Sequence, residues 1–174
     1  TSDMDELLRN LLPSYNVSNN SIDDAATLIR PANLRGLPAD NTLVLINGKR
    51  LHRASVIAEL GGSLNAGSQG PDIGVIPTLA LESVEVLRDG AAAQYGSDAI
   101  AGVINYRLKE NNSGLTVEGK YGEFYEGDGA TKQIGANWGL PLGPDGFANL
   151  TFQWKEKDAT SRSLQRTDAQ ALID

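Results

Sequence analysis

The chain has 174 residues, 22 acidic against 15 basic for a formal net charge of -7, with no cysteine and one histidine. An acidic surface without a Lys/Arg block excludes a phosphate-neutralising nucleic-acid face and a polybasic membrane patch, and the missing thiols exclude disulfides, thiolate metal sites and cysteine nucleophiles. No apolar run approaches the ~20 residues of a membrane helix, but strands that alternate apolar and polar residues could still cross a bilayer without raising the mean hydropathy, here -0.27.

In chain order, SDMDELLRNLLPSY predicts a short helix. Asp3 and Glu6 have capping-box spacing, Leu7, Leu8, Leu11 and Leu12 form one apolar stripe, and Pro13 ends it. Thr1 leads straight into acidic residues without a secretory leader, so the start is expected to be a cut or processed end. Residues 16–24 are rich in turn formers and predict a loop. Residues 42–46 form a β-rich apolar run followed by Asn47-Gly48, the signature of a type I′ hairpin.

Residues 61–74, GGSLNAGSQGPDIG, lack periodicity and are expected to be the most irregular part of the first 110. Pro77 stands where a helix would begin, and SVEVLR then reads as a strand with Val84 and Val86 on one face. GAAAQYGSDAIAG supplies small residues and glycine turns before the strand-forming Val103-Ile104. Alternating helices and strands predict a small α/β unit over residues 1–110.

After Glu110 the pattern becomes strictly two-faced. Leu115, Val117, Gly119 and Tyr121 share one face, as do Ile134, Ala136, Trp138, Leu140 and Leu142, and then Ala148, Leu150, Phe152 and Trp154. Turns at 126–129 and 143–146 join these segments into an antiparallel meander. The alternation, with a polar face of amides, hydroxyls, charges and glycines and with aromatics near the strand ends, fits transmembrane barrel strands; a sheet whose apolar face covers a soluble core is the alternative.

The segments LRGLPADNTLVLINGKRL and IPTLALESVEVLRDGAAAQYGSDAIAGVINYRLKE resemble the plug-domain motifs of TonB-dependent outer-membrane receptors. The shared features are an Arg-Gly before an apolar strand and hairpin, a strand ending in Leu-Arg, a small-residue turn, Tyr-Gly, and Val-Ile-Asn leading into the barrel. Asp89-Gly90 stands where many members have Gly-Pro, and both form a tight turn. The resemblance implies an α+β chain: a small mixed α/β plug over 1–110, then about three strands over 111–174 that begin a transmembrane β-barrel and the start of an extracellular loop. Such receptors resemble the 22-stranded, plugged barrels, so a fragment is expected. In this setting Gly96 and Gly102 are expected to permit close backbone approach, and Gly122, Gly135 and Gly139 to keep lumen-facing positions small.

The resemblance further implies a receptor in the outer membrane of a Gram-negative bacterium, its plug inside the barrel lumen and its strands in contact with lipid. It would bind a scarce hydrophilic solute, such as an iron chelate, and gate uptake driven by a TonB-type energy-coupling protein. A receptor of the same fold that senses the solute without transporting it is the alternative. Arg35 and Arg88 stand at the family's plug–barrel lock positions, where they would pair with barrel glutamates. The solute-binding candidates are Asn19, Asn20, Asp23, His52, Arg53 and Gln69, in two polar loops that the resemblance places at the extracellular apex. Asp23-Asp24 lack the spacing of a calcium loop, and GGSLNAGSQG lacks the Lys-Ser/Thr ending of a phosphate loop. No enzyme, metal, cofactor or nucleic-acid partner is expected.

Overall fold

The computed structural model describes residues 8–17, 24–58 and 64–160. Asp3, Glu6 and Leu7 of the expected first helix, and residues 161–174 of the expected loop, lie outside the described residues. Residues 8–11 are helical, and the Leu12 amide donates to the Leu8 carbonyl at 2.8 Å. The apolar stripe is narrower than its leucines suggest: Leu8 is buried and Leu12 packs on the same core, whereas Leu11 is 66% exposed.

Strands β1 (Tyr15–Val17) and β2 (Ala32–Leu34) form an antiparallel two-stranded ribbon. A separate mixed sheet contains β3 (Thr42–Ile46), β4 (Lys49–Arg50), β5 (Leu81–Leu87) and β6 (Gly102–Leu108) in the order β4-β3-β6-β5. Only the central pair β3–β6 is parallel.

Of these central strands β3 reads as a nearly continuous apolar run, and both of its faces, like those of the first half of β6, are covered. Val44, Ile104 and Tyr106 enter a core with Leu8, Leu34 and Ile73, while Leu43, Leu45 and Val103 pack against Ala91 and Ala99 on the other side. The hairpin forms as predicted, with Asn47 and Gly48 both at positive φ, 49° and 76°, as a type I′ turn requires. The Asn47 Oδ1 also accepts from the Leu108 amide at 2.8 Å, tying the turn to β6.

Helix is scarcer than the α/β pattern suggests. Pro77 precedes only the 3-10 turn Thr78–Ala80, after which the apolar alternation of β5 takes over, and the small-residue run yields one short helix, Ala91–Tyr95. Gly102 has φ 139°, and a Cβ there would stand 2.6 Å from the Leu87 carbonyl oxygen and 3.1 Å from Leu34 Cδ1, so the expected close approach holds at this position. At Gly96 the space is open, and its φ of 91° is what calls for glycine.

The described part of the 61–74 stretch has no strand and only the 3-10 turn Ile73–Val75, but Asn65, Ser68 and Ile73 within it are buried. Polar side chains bind it down where apolar periodicity is missing. The last sheet is an antiparallel meander of β7 (Leu115–Gly122), β8 (Thr131–Leu142) and β9 (Gly146–Lys157), in that order.

Candidate functional site

The two faces of the β7–β9 sheet are oppositely placed from those of a water-soluble sheet. Directly opposed residues share a face, and the registers pair Ile134 with Trp154, Ala136 with Phe152 and Trp138 with Leu150. Ile134, Trp138, Leu150, Phe152 and Trp154 are all exposed, Phe152 to 64%. On the other face Gln133 and Asn137 are buried. Each large apolar side chain left in water forgoes about 1.5–3 kcal/mol, so an apolar surface of this extent requires an apolar medium or partner to cover it.

From Ile134 to Leu142 the exposed apolar stripe of β8 runs about 26 Å at a rise of ~3.3 Å per residue. A row of Tyr121, Lys132 and Glu156 bounds it at one end. Tilted by ~40°, such a stripe covers about 20 Å, close to the ~25 Å apolar band of barrel strands.

The polar face is the one that meets the mixed-sheet half of the chain. A Cβ on Gly135 would lie 3.2 Å from Leu79 Cδ2, and one on Gly139 would strike the Asn111 carbonyl and stand 2.8 Å from the Ser113 amide nitrogen. At Gly122 nothing lies within 4 Å, so the need for a small residue is met at two of the three expected positions. Amides satisfy this buried face, as a dry polar surface demands. Asn137 Nδ2 donates to Asn149 Oδ1 and, at 2.8 Å, to Thr151 Oγ1, while Asn149 Nδ2 donates to Asn111 Oδ1 at 2.7 Å. Residues 109–114, which lead from β6 into β7, are thereby held on the inner side of the sheet.

Arg35 follows β2 with φ 58°. Its Nη1 donates to the Arg88 carbonyl at 2.9 Å and to Asp89 Oδ1 at 3.2 Å, which brings the two expected lock positions together. The ion pair is solvent-exposed and worth at most ~1 kcal/mol. Among the described residues the Arg88 guanidinium has no hydrogen-bond or ion-pair partner, and its side chain lines a groove with Leu8, Leu12 and Val86.

Of the solute candidates, Asn19, Asn20 and Asp23 lie outside the described residues. His52 and Arg53 are exposed and share one cleft with Gln69. Arg53 is within 3.9 Å of Asp40 and 3.6 Å of Asp98, and Arg50 also pairs with Asp98. Gln69 is half-buried: its Nε2 donates to the Ala54 carbonyl at 2.6 Å and its amide to Asp40 Oδ1 at 3.0 Å. Asp40 and Asp98 therefore organise this cleft, a role their surroundings in the sequence do not advertise.

Bonded to the cleft-lining Ala39 is a pair that motif reading misses, Asn33 in β2 and Asn65. Both are fully buried, and each donates its amide to the other, at 2.6 and 3.1 Å. The one local signal is an asparagine between Ala32 and Leu34 in a buried strand.

Residues 1–103 match a family model described as the TonB-dependent Receptor Plug Domain. The chain is 32% identical over 149 residues to a probable TonB-dependent siderophore receptor PirA of Acinetobacter baumannii, covering 81% of the chain and 19% of that protein. It is 29% identical over 148 residues to the ferrienterobactin receptor of Escherichia coli, covering 82% and 19%. Against the vitamin B12 transporter BtuB of Photobacterium profundum it is 32% identical over 132 residues, covering 74% and 19%. The chain thus spans about a fifth of the length of these relatives.

Proposed function

Because the chain belongs to the TonB-dependent receptor plug-domain family, we propose that residues 1–110 are the plug and residues 111–174 the first barrel strands of a Gram-negative outer-membrane receptor. The receptor binds a scarce hydrophilic solute at extracellular plug loops and gates its uptake, driven by a TonB-type partner. The observation that carries this reading is the reversed β7–β9 sheet: its exposed apolar face suits lipid, and its buried amide and glycine face suits the lumen side on which a plug sits.

Solute binding falls to the cleft of His52, Arg53 and Gln69, together with Asn19, Asn20 and Asp23, which lie outside the described residues. The relatives' names point to a siderophore or vitamin B12 as solute class. Arg35 and Arg88 lock the plug to carboxylates on the barrel wall. Support for the lock comes from their adjacency and from the exposed Arg88 guanidinium, which has no partner among the described residues and would need an acceptor if covered by the wall. No bond in the solute is made or broken; the work lies in favouring one plug arrangement over another.

The test is expression of the full-length receptor in a Gram-negative host lacking its own siderophore and B12 receptors. The protein should fractionate with outer membranes and accumulate labelled ferric enterobactin or cobalamin only while the energy-coupling protein is present. Recovery in the soluble periplasm, or accumulation indifferent to the coupling protein, would overturn the reading.

A further inference from the structure

Strand β2 has two different faces in use. Ala32 and Leu34 are buried in the main core, whereas Asn33, which alternates with them, meets the 64–70 segment through the reciprocal amide pair with Asn65. Asn65 Oδ1 also accepts from the Ala39 amide at 3.0 Å, and Asn33 Nδ2 donates to the Leu37 carbonyl at 3.0 Å. The segment is closed by Ser68, whose amide and hydroxyl both donate to the Asn65 carbonyl, and Gln69 of the candidate solute cleft follows directly. Asn65 is thus the post on which this segment is built.

The other end of the connection is β1. Among the described residues β1 is the only strand paired with β2, through Tyr15 with Leu34, Asn16 with Asn33 and Val17 with Ala32. The Arg35 amide donates to the Ser14 carbonyl at 2.8 Å, extending that ribbon toward Arg35 and its contact with Arg88. A tension applied to the chain ahead of residue 8 reaches β1 before any other described strand. Since the two asparagines hold a dry, mutually satisfied arrangement, displacement of β2 by even one residue leaves both amides unpaired, and the site switches between made and broken instead of stretching.

We propose that Asn33 and Asn65 are positioning residues that couple the solute-side segment 64–70 to the β1–β2 ribbon, so that loosening either one loosens the other. This rests on the transport reading for its purpose, but not for its physics. Coupling of this kind is reciprocal by necessity: removal of β1 from β2 opens the solute cleft, and a solute that stiffens 64–70 holds the ribbon closed.

The experiment is hydrogen exchange followed by mass spectrometry on the full-length receptor and three variants. Asn65→Ala should accelerate exchange at the Asn16 and Arg35 amides, which face across the ribbon, at least tenfold. Asn16→Pro, which removes a donor that faces β2 in the ribbon, should accelerate the Gly67 and Ser68 amides to a similar degree. The β3–β6 amides at 103–106 should be unchanged in both. If Asn65→Ala does not assemble, Asn65→Asp, which keeps the acceptor for Ala39 and loses the donor to Asn33, is read the same way. Acceleration confined to the mutated element, or spread equally over 103–106, overturns the coupling. Because exchange needs neither solute nor energy-coupling partner, such a failure leaves the transport reading standing, and lost uptake with intact coupling does the reverse.

Discussion

Asn137 and Trp138 are neighbours in β8, and the amide side chain is 2% exposed while the indole residue beside it is 49% exposed. In a sheet that covers a soluble core these placements would be exchanged. A buried amide is tolerable because Asn149 and Thr151 accept both of its hydrogens, and an exposed indole is tolerable when its surroundings are not water.

A charge on the outer face should therefore be far more damaging than its solvent exposure suggests. Leu150 lies opposite Trp138 in the middle of the apolar stripe. Leu150→Arg in the full-length receptor should destabilise the membrane-inserted state by about 2–4 kcal/mol, measured by urea unfolding in lipid vesicles. A change within ~0.5 kcal/mol, normal for a water-exposed position, would contradict a lipid-facing side.

Glycine substitutions give a matched pair within one sheet. Gly139→Ala places a methyl group against the Asn111 backbone and should cost about 1–3 kcal/mol by overpacking. Gly119→Ala, on the apolar face with nothing within 4 Å, should be neutral or slightly stabilising. Thermal unfolding of the two variants beside the parent reads the difference, and equal shifts would mean that residues 109–114 do not rest on this sheet.

At Arg35 the side chain and the backbone can be separated. Its φ of 58° favours glycine, so Arg35→Gly removes the guanidinium while relieving backbone strain, and Arg35→Ala removes it and keeps the strain. If the guanidinium locks the plug, each substitution, combined with Arg88→Ala, should raise the permeation of bulky antibiotics through the receptor to the same extent, with near-normal expression. The lock, a charge-assisted bond worth ~1.5–3 kcal/mol, is abandoned if permeability stays at the parental level or follows the backbone strain instead.

Much of this architecture is legible in the residues themselves. The meander follows from a period of two sustained through β7, β8 and β9, and the hairpin from Asn47-Gly48, since both features are encoded by neighbours in the chain. Alternation alone leaves open which face is turned outward, because burial of the amides of Gln133 and Asn137 depends on what the rest of the chain presents to them. The Asn33–Asn65 pair is hidden for a similar reason. Its members are 32 positions apart, and an asparagine in a Gly/Ser-rich stretch looks like any other turn former. The sparse helix at 78–80 and 91–95 reflects tertiary demand on short segments, where propensity is weakest.

The most direct test of the central claim, that the apolar face of β7–β9 meets lipid and its polar face meets the plug, is a spin-label scan along β9. The chain has no cysteine, so single cysteines at positions 149–154 of the full-length receptor in vesicles label unique sites within these strands. Accessibility to oxygen, which partitions into lipid, should oscillate with a period of two and peak at 150, 152 and 154, while a water-soluble nickel chelate reaches none of these three. Peaks at 149, 151 and 153, or nickel access at 150, 152 and 154, would contradict the account.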